Sequence, residues 1–311
     1  MVMRMRTTFW LVLALSTVAL DGRAQGQQTE ATSLSGKPLF APELSAEQRK
    51  RLEADLERAR ADLAKNPDSA DAAIWVGRRL AYLGRFRDAI DAYSRAITAH
   101  PKEPRLYRHR GHRYITVRKF DAAIADLTRA ADLVRGRPDE IEPDGAPNAA
   151  GVPRSTLQSN IWYHLGLAQY LKGDFAHAAV SYREGMKVSR VNDDMLVATT
   201  DWLYMTLRRL HRDDEARQLL EPIKPTMDIL ENGAYHARLL MYKGLRTPES
   251  VLNLNTADDV QIATQGYGVG NWYLINGNRV RAREIFERVV AGRAWPAFGF
   301  IAAEAELTRE R

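Results

Sequence analysis

A helix-turn-helix pattern is written twice, 34 residues apart, and no other feature of the chain constrains its fold as much. The pairs Gly77/Gly111, Leu80/Tyr114, Phe86/Phe120, Ala89/Ala123 and Tyr93/Leu127 all keep that offset. A fixed period of this length marks a unit of two packed helices that cannot bury its apolar face alone and stacks on copies of itself. The expected fold class is therefore all-α: an α-solenoid of antiparallel helix pairs, with terminal capping helices over its exposed apolar ends.

The small residues carry the packing. Gly77 and Ala89 lie on answering faces of the two helices and let them approach closely, while Phe86 and Tyr93 fill the space beside them. The first unit predicts helices over about 71–83, closed by Gly84, and 87–100, closed by Pro101. The second runs over 104–136 and lacks the closing proline, with Arg135 at its end. A third copy reads Trp162, Leu165, Gly166, Gly173, Phe175, Ala178, Tyr182 and Gly185. A fourth is eroded (Leu203, Leu207, Ala216, Leu220, with Asp213 at the turn aromatic), and a fifth is barely legible from Tyr235 to Gly244. The last recovers as Gly270, Tyr273, Gly277, Ala282, Phe286 and Val289.

These units resemble the tetratricopeptide repeat (TPR) family, whose motif asks for large, small and aromatic residues at set positions. The resemblance covers residues 70–295, and Gln169 departs from it where an aromatic is usual. It implies a right-handed superhelix with an inner groove lined by the first helix of each pair. The identification is of an exported bacterial TPR-containing protein, because of what precedes the repeats.

Arg4 and Arg6 precede an apolar run from Phe9 to Leu20, followed by Gly22-Arg23-Ala24. This is the layout of a signal peptide over 1–24. As a helix the run would span about 18 Å, short of a bilayer core, so no stable membrane anchor is expected after cleavage. An exported location, periplasmic or secreted, follows. The chain has no cysteine, so a disulfide framework is excluded and packed helices must supply stability. Without residues 1–24, 42 basic and 38 acidic residues leave a charge of +4. That slightly favours acidic partners and falls short of a nucleic-acid signature.

Residues 25–44 are polar, with two prolines, and read as a flexible linker. Ser45 and Gln48 form a capping box before Leu52, Leu56, Ala59 and Leu63, which places an N-terminal capping helix at 45–67, stopped by Pro67. The repeat domain then spans 70–311 and is interrupted between its second and third copies. From Ala123 to Ala178 the spacing exceeds the period by 21 residues; the excess, rich in Gly, Pro and Asp, is a surface-loop insertion at 136–157. Pro296 opens a terminal helix over 296–309.

By the resemblance, the inner stripe holds Arg78 and Tyr82 in the first copy and Arg105, Arg108 and His112 in the second. It holds Tyr163 and Tyr170 in the third and Arg208 in the fourth. Arginine and tyrosine are favoured interface anchors, so these residues form a candidate partner-binding groove for a peptide with acidic and apolar residues. Some family members clamp a C-terminal carboxylate with Lys and Asn; Ile74, Arg78, Arg108 and His112 stand there instead, so that ligand does not transfer.

Other chemistry finds little support. His109 and His112 lie one turn apart without a carboxylate or thiol beside them, and Asp139, Glu140, Glu142 and Asp144 lack calcium-loop spacing. The glycines of Gln265-Gly-Tyr-Gly-Val-Gly270 follow a helix start, not a strand, and read as helix packing. No cofactor and no metal site is implied. The expectation is a non-enzymatic adaptor or scaffold. One alternative is a structural subunit of an envelope assembly binding through its ends. Another is an enzyme or small-molecule binder with a pocket at 230–275, where His236, Asp258 and Asp259 are the only candidate groups.

Overall fold

The computed structural model, which describes residues 28–145 and 147–309, is an all-α solenoid with one small hairpin. Residues 1–24 and the start of the linker lie outside the described residues. Helix α1 (Ala46–Lys65) is capped reciprocally by Ser45 and Gln48 and covers the first pair. Then come α2 (Ala70–Tyr82) with α3 (Phe86–Ala99), α4 (Pro104–Thr116) with α5 (Phe120–Val134), and α6 (Leu157–Lys172) with α7 (Phe175–Val188). In the fourth pair α8 (Asp193–Arg209) answers a short α9 (Asp213–Leu219). The stretch 221–258 contains α10 (Gly233–Tyr242) and a single-turn α11 (Pro248–Val251), so the barely legible fifth unit is an irregular pair. The last pair, α12 (Asp259–Ile275) with α13 (Arg279–Val290), is regular, and α14 (Phe298–Arg309) follows. None of the described helices is long and apolar enough to cross a membrane.

One steric rule recurs through the regular pairs. Gly77 faces Tyr93, Gly111 faces Leu127, Gly166 faces Tyr182 and Gly270 faces Phe286, each with no room for a β-carbon between. The separation is 16 residues every time. The large side chain of the second helix lies flat on the bare backbone of the first, and all four are essentially fully buried. The run 265–270 belongs to α12, where Gly270 serves this rule and Arg238 lies across Gly268.

The turn inside each pair needs one left-handed residue. Gly84, Gly173 and Gly277 supply it at φ between 76° and 86°, whereas Arg118 (63°) and His211 (57°) supply it in the second and fourth pairs. A side chain there is strained by roughly 1–2 kcal/mol, and Arg118 is held by bonds to three partners. It donates to Thr116 O (2.5 Å), Trp295 O (3.0 Å) and Glu304 Oε2 (2.9 Å).

Two terminal segments depart from the linear stack. The flexible linker expected over 25–44 is corrected in its described part: β1 (Thr29–Thr32) pairs antiparallel with β2 (Pro38–Phe40). The hairpin is held because Glu30 accepts the Arg87 amide at the start of α3 (3.0 Å) and Phe40 O accepts from the Trp295 indole (2.8 Å). A polar composition hid partners that lie far away in sequence. At the other end α14 packs on α12 and α13 as a cap would, but it also crosses the inner face. Arg309 donates to Leu171 O at the end of α6, and Glu306 accepts from Arg209 at the end of α8.

Candidate functional site

The first helices do line the inner face, but two segments of the chain itself fill it. Along the middle lies α14, with the Phe298 ring 5.2 Å from His112, 5.6 Å from His164 and 6.2 Å from Tyr163. The C-terminal helices complete the filling. Tyr163 Oη shares a hydrogen with Tyr235 Oη (2.6 Å) and accepts from the Trp202 indole (2.8 Å). Tyr170 Oη accepts from Tyr267 Oη (2.6 Å) beneath the Trp202 ring. Tyr163 and Tyr170, expected as groove anchors, are therefore core residues, and Tyr170 is fully buried. The helical stripe carried no information that α10, α12 and α14 fold in against them.

Arg208 is likewise committed, to Asp213 (2.7 Å), Tyr204 Oη (2.9 Å) and the end of α12 at Asn276. Arg105 stays on the rim, its guanidinium held by Glu103 and Asp71. His112 packs against His164 and Phe298 rather than facing open groove. His109 points elsewhere, stacked on Tyr93 and 3.1 Å from Arg108, so the two histidines of α4 meet different neighbours.

The front of the groove is filled by the 136–157 insertion, and this corrects its reading as a surface loop. Its outer part is exposed, but its inner part turns into the groove. Arg78 donates to Pro143 O (2.7 Å), Arg79 to Gly145 O (3.4 Å), and Arg108 pairs with Glu142 (2.9 Å), which also accepts from Asn160 (3.2 Å). Gly145 is pressed so closely on Tyr82 and Arg78 that a β-carbon has no space. Glu142 is 7% exposed, and its pairing with Arg108 is therefore made away from solvent.

What distinguishes this end of the groove is its charge balance. Arg78, Arg108 and Arg113 act on one another and on Tyr82 and Tyr93. Burial lowers Arg108, and it brings Arg113 down to about 10. Burial also holds His109, His112 and His164 well below the usual imidazole range, and the neighbouring guanidiniums push the same way. The histidines are thus neutral near pH 7, and His164 donates through Nδ1 to Asn160 O (2.6 Å). Among the described residues Glu142 is the one carboxylate paired with these three guanidiniums; Asp144 lies beside it in the tip, its Oδ2 buried without a hydrogen-bond partner. Arg113 keeps some accessible surface, lies over the Phe86 ring (5.6 Å) and has no hydrogen-bond acceptor among the described residues. It lies one residue beyond the stripe that named His112, which is why the sequence pattern passed it over.

The groups proposed for a catalytic pocket at 230–275 have separate structural work. His236 bonds Lys224 O, Asp258 caps α12 through Gln261 N, and Asp259 pairs with Arg293. An apolar cleft of about 320 Å³ lies between the hairpin and α14, walled by Leu39, Trp295, Phe300 and Leu307.

No family model matches the sequence, and no curated protein matches it. Solved structures do. YrrB, described as a TPR protein with an unusual peptide-binding site, is 14% identical over 76% of this chain and 92% of its own, with a TM-score of 0.43. The MamA protein is 14% identical over 65% of this chain and 89% of its own (TM-score 0.42). The APC/C hetero-tetramer Cut9–Hcn1 is 15% identical over 78% of this chain and 43% of that one (TM-score 0.49). At these identities the likeness is one of fold alone; the stacked helix pairs are established by the chain's own helices.

Proposed function

We propose that the protein is a non-enzymatic adaptor, exported by residues 1–24 to the periplasm or beyond, that holds an extended acidic segment of another protein. The observation that carries this reading is the cluster of Arg78, Arg108 and Arg113, of which only Arg108 is paired with a carboxylate among the described residues, that of Glu142. A guanidinium offers a planar fork that matches a carboxylate, and its bonds to one are about twice as strong as neutral ones. The cluster sits on stacked first helices, which give a rigid frame. The middle of the inner face, closed by α14, is assigned to stability and not to binding.

The test is affinity capture from the native envelope fraction with the chain lacking residues 1–24, in parallel with Arg113→Gln. An acid-rich partner is expected on the unaltered chain, released by moderate salt and reduced at least fivefold by Arg113→Gln. Equal capture by both proteins overturns the reading. Fractionation of the native protein, with sequencing of its first residues, tests export independently; an intact residue 1–24 segment on a cytoplasmic protein refutes it.

A further inference from the structure

An external acid at this site meets an occupant already in place. The tip of the insertion touches the groove in the manner of a bound peptide: a side-chain carboxylate on Arg108, main-chain carbonyls on Arg78 and Arg79, and a residue without a side chain on Tyr82. We infer that the Glu142–Gly145 tip is a built-in competitor for the arginine groove, and that the ligand which displaces it is an extended peptide carrying at least two carboxylates. The inference rests on the acidic-segment reading above and adds how access is controlled.

Three independent observations support it. First, the stem of the insertion is fixed without the tip. Leu157 N donates to Glu140 O (2.9 Å) and Gln158 N to Asp139 (3.0 Å), and the Glu142 backbone belongs to this stem through its own bond to Ser155 O (3.0 Å). The Glu142 side chain and residues 143–145 can therefore leave the groove while the stem stays. Second, the outer part reaches the rest of the chain through an exposed contact, Asn148 to Glu231, of the kind that contributes little, whereas Arg154, beside the stem, is fixed to Asp228 and to the buried Asp194. Third, the tip satisfies the site incompletely. It brings one paired carboxylate to three guanidiniums, and Arg113 is left facing a phenyl ring with no acceptor among the described residues. A ligand with a second acid gains a bond that the tip does not make. That gain is what lets it compete with a tethered segment, whose effective concentration is in the millimolar range.

The probe is a fluorescein-labelled peptide with the sequence of residues 139–145, Asp-Glu-Ile-Glu-Pro-Asp-Gly, titrated by anisotropy into the chain lacking residues 1–24. Glu142→Gln, which keeps shape and removes the carboxylate that pairs with Arg108, is expected to bind it at least tenfold more tightly than the unaltered chain. Adding Arg108→Gln abolishes binding. Gly145→Val, which forces the tip off Tyr82 by bulk, supplies the same rise by an unrelated route should Glu142→Gln melt early. A Glu142 with a purely structural role gives the opposite sign, and equal or weaker binding by both folded variants overturns the inference while leaving the acidic-segment reading intact. Absence of binding by every protein, glutarate-competed or not, removes both. Free glutarate that displaces the peptide at equal concentration shows that a small dicarboxylate, rather than a peptide, is the ligand, and overturns the peptide assignment.

Discussion

Arg118, at a turn where the neighbouring pairs place glycine, reaches 2.9 Å across to Glu304 of the last helix, 186 residues away. Both side chains are almost fully buried, and Glu304 also accepts the Leu34 amide of the hairpin (2.8 Å). One carboxylate thus joins the first turn of the second pair, the N-terminal hairpin and the C-terminal helix. The backbone strain at Arg118 is sustained because that side chain is needed there.

Removing one partner leaves a buried charge alone. Glu304→Gln is expected to cost about 3–5 kcal/mol in urea unfolding. Arg118→Gly relieves the turn, so its loss should be smaller than that of Arg118→Met, by roughly 1 kcal/mol. If the two Arg118 variants are equally stable, the left-handed residue is unstrained and the account of this turn is wrong.

The glycine-to-aromatic rule makes a paired prediction at the third unit. Gly166→Ala drives a methyl into the Tyr182 ring and should cost about 1–3 kcal/mol, as overpacked cores do. In a Tyr182→Ala background the same methyl meets open space, and most of that cost should vanish. A double-mutant cycle by chemical denaturation measures the difference; additive losses would mean that the glycine serves some other contact.

Acid should weaken this protein through its inner histidines. Burial depresses His109, His112 and His164 in the folded chain, so between their folded values and about 6.5 the unfolded chain binds more protons. Their contribution is complete above about pH 6.5 and is lost as pH falls, by up to about 1.4 kcal/mol per pH unit for each. Melting temperature should drop between pH 7 and pH 5, and His164→Gln should flatten that drop by about a third. An unchanged slope in the variant would place the acid sensitivity elsewhere.

Ending the chain after Ala297 removes α14. Ile301, Ala302 and Ala303 are fully buried, and loss of this helix with Phe300 should cost on the order of 5 kcal/mol in apolar burial. It also uncovers Tyr163. Enhanced binding of an apolar fluorescent dye with helical circular dichroism retained is the expected signature. A truncated chain as stable as the full one would mean that α14 is an accessory and the inner face is open.

Much of the architecture was legible because a repeat is a local code. Gly166, Tyr182 and the Ser45 capping box each sit within one helix pair of the residues they serve. The candidate site was legible only in part. The stripe rule named Arg78, Arg108 and His112, yet it carried nothing about what else arrives beside them. Glu142 reaches Arg108 from an insertion without periodicity, and Phe298 reaches His112 from a helix whose pattern predicts only a cap. Such placements depend on curvature summed over several pairs, to which no single window of sequence answers.

Repeat arrays ordinarily unravel from their ends, since a terminal unit leans on one neighbour only. Here the hairpin and the last helix are fastened to each other and to the second pair, so neither end can fray without breaking contacts 186 or more residues distant. The chain should consequently unfold in a single cooperative step, and fold slowly for a helical protein, because its closing contacts carry a large loop entropy.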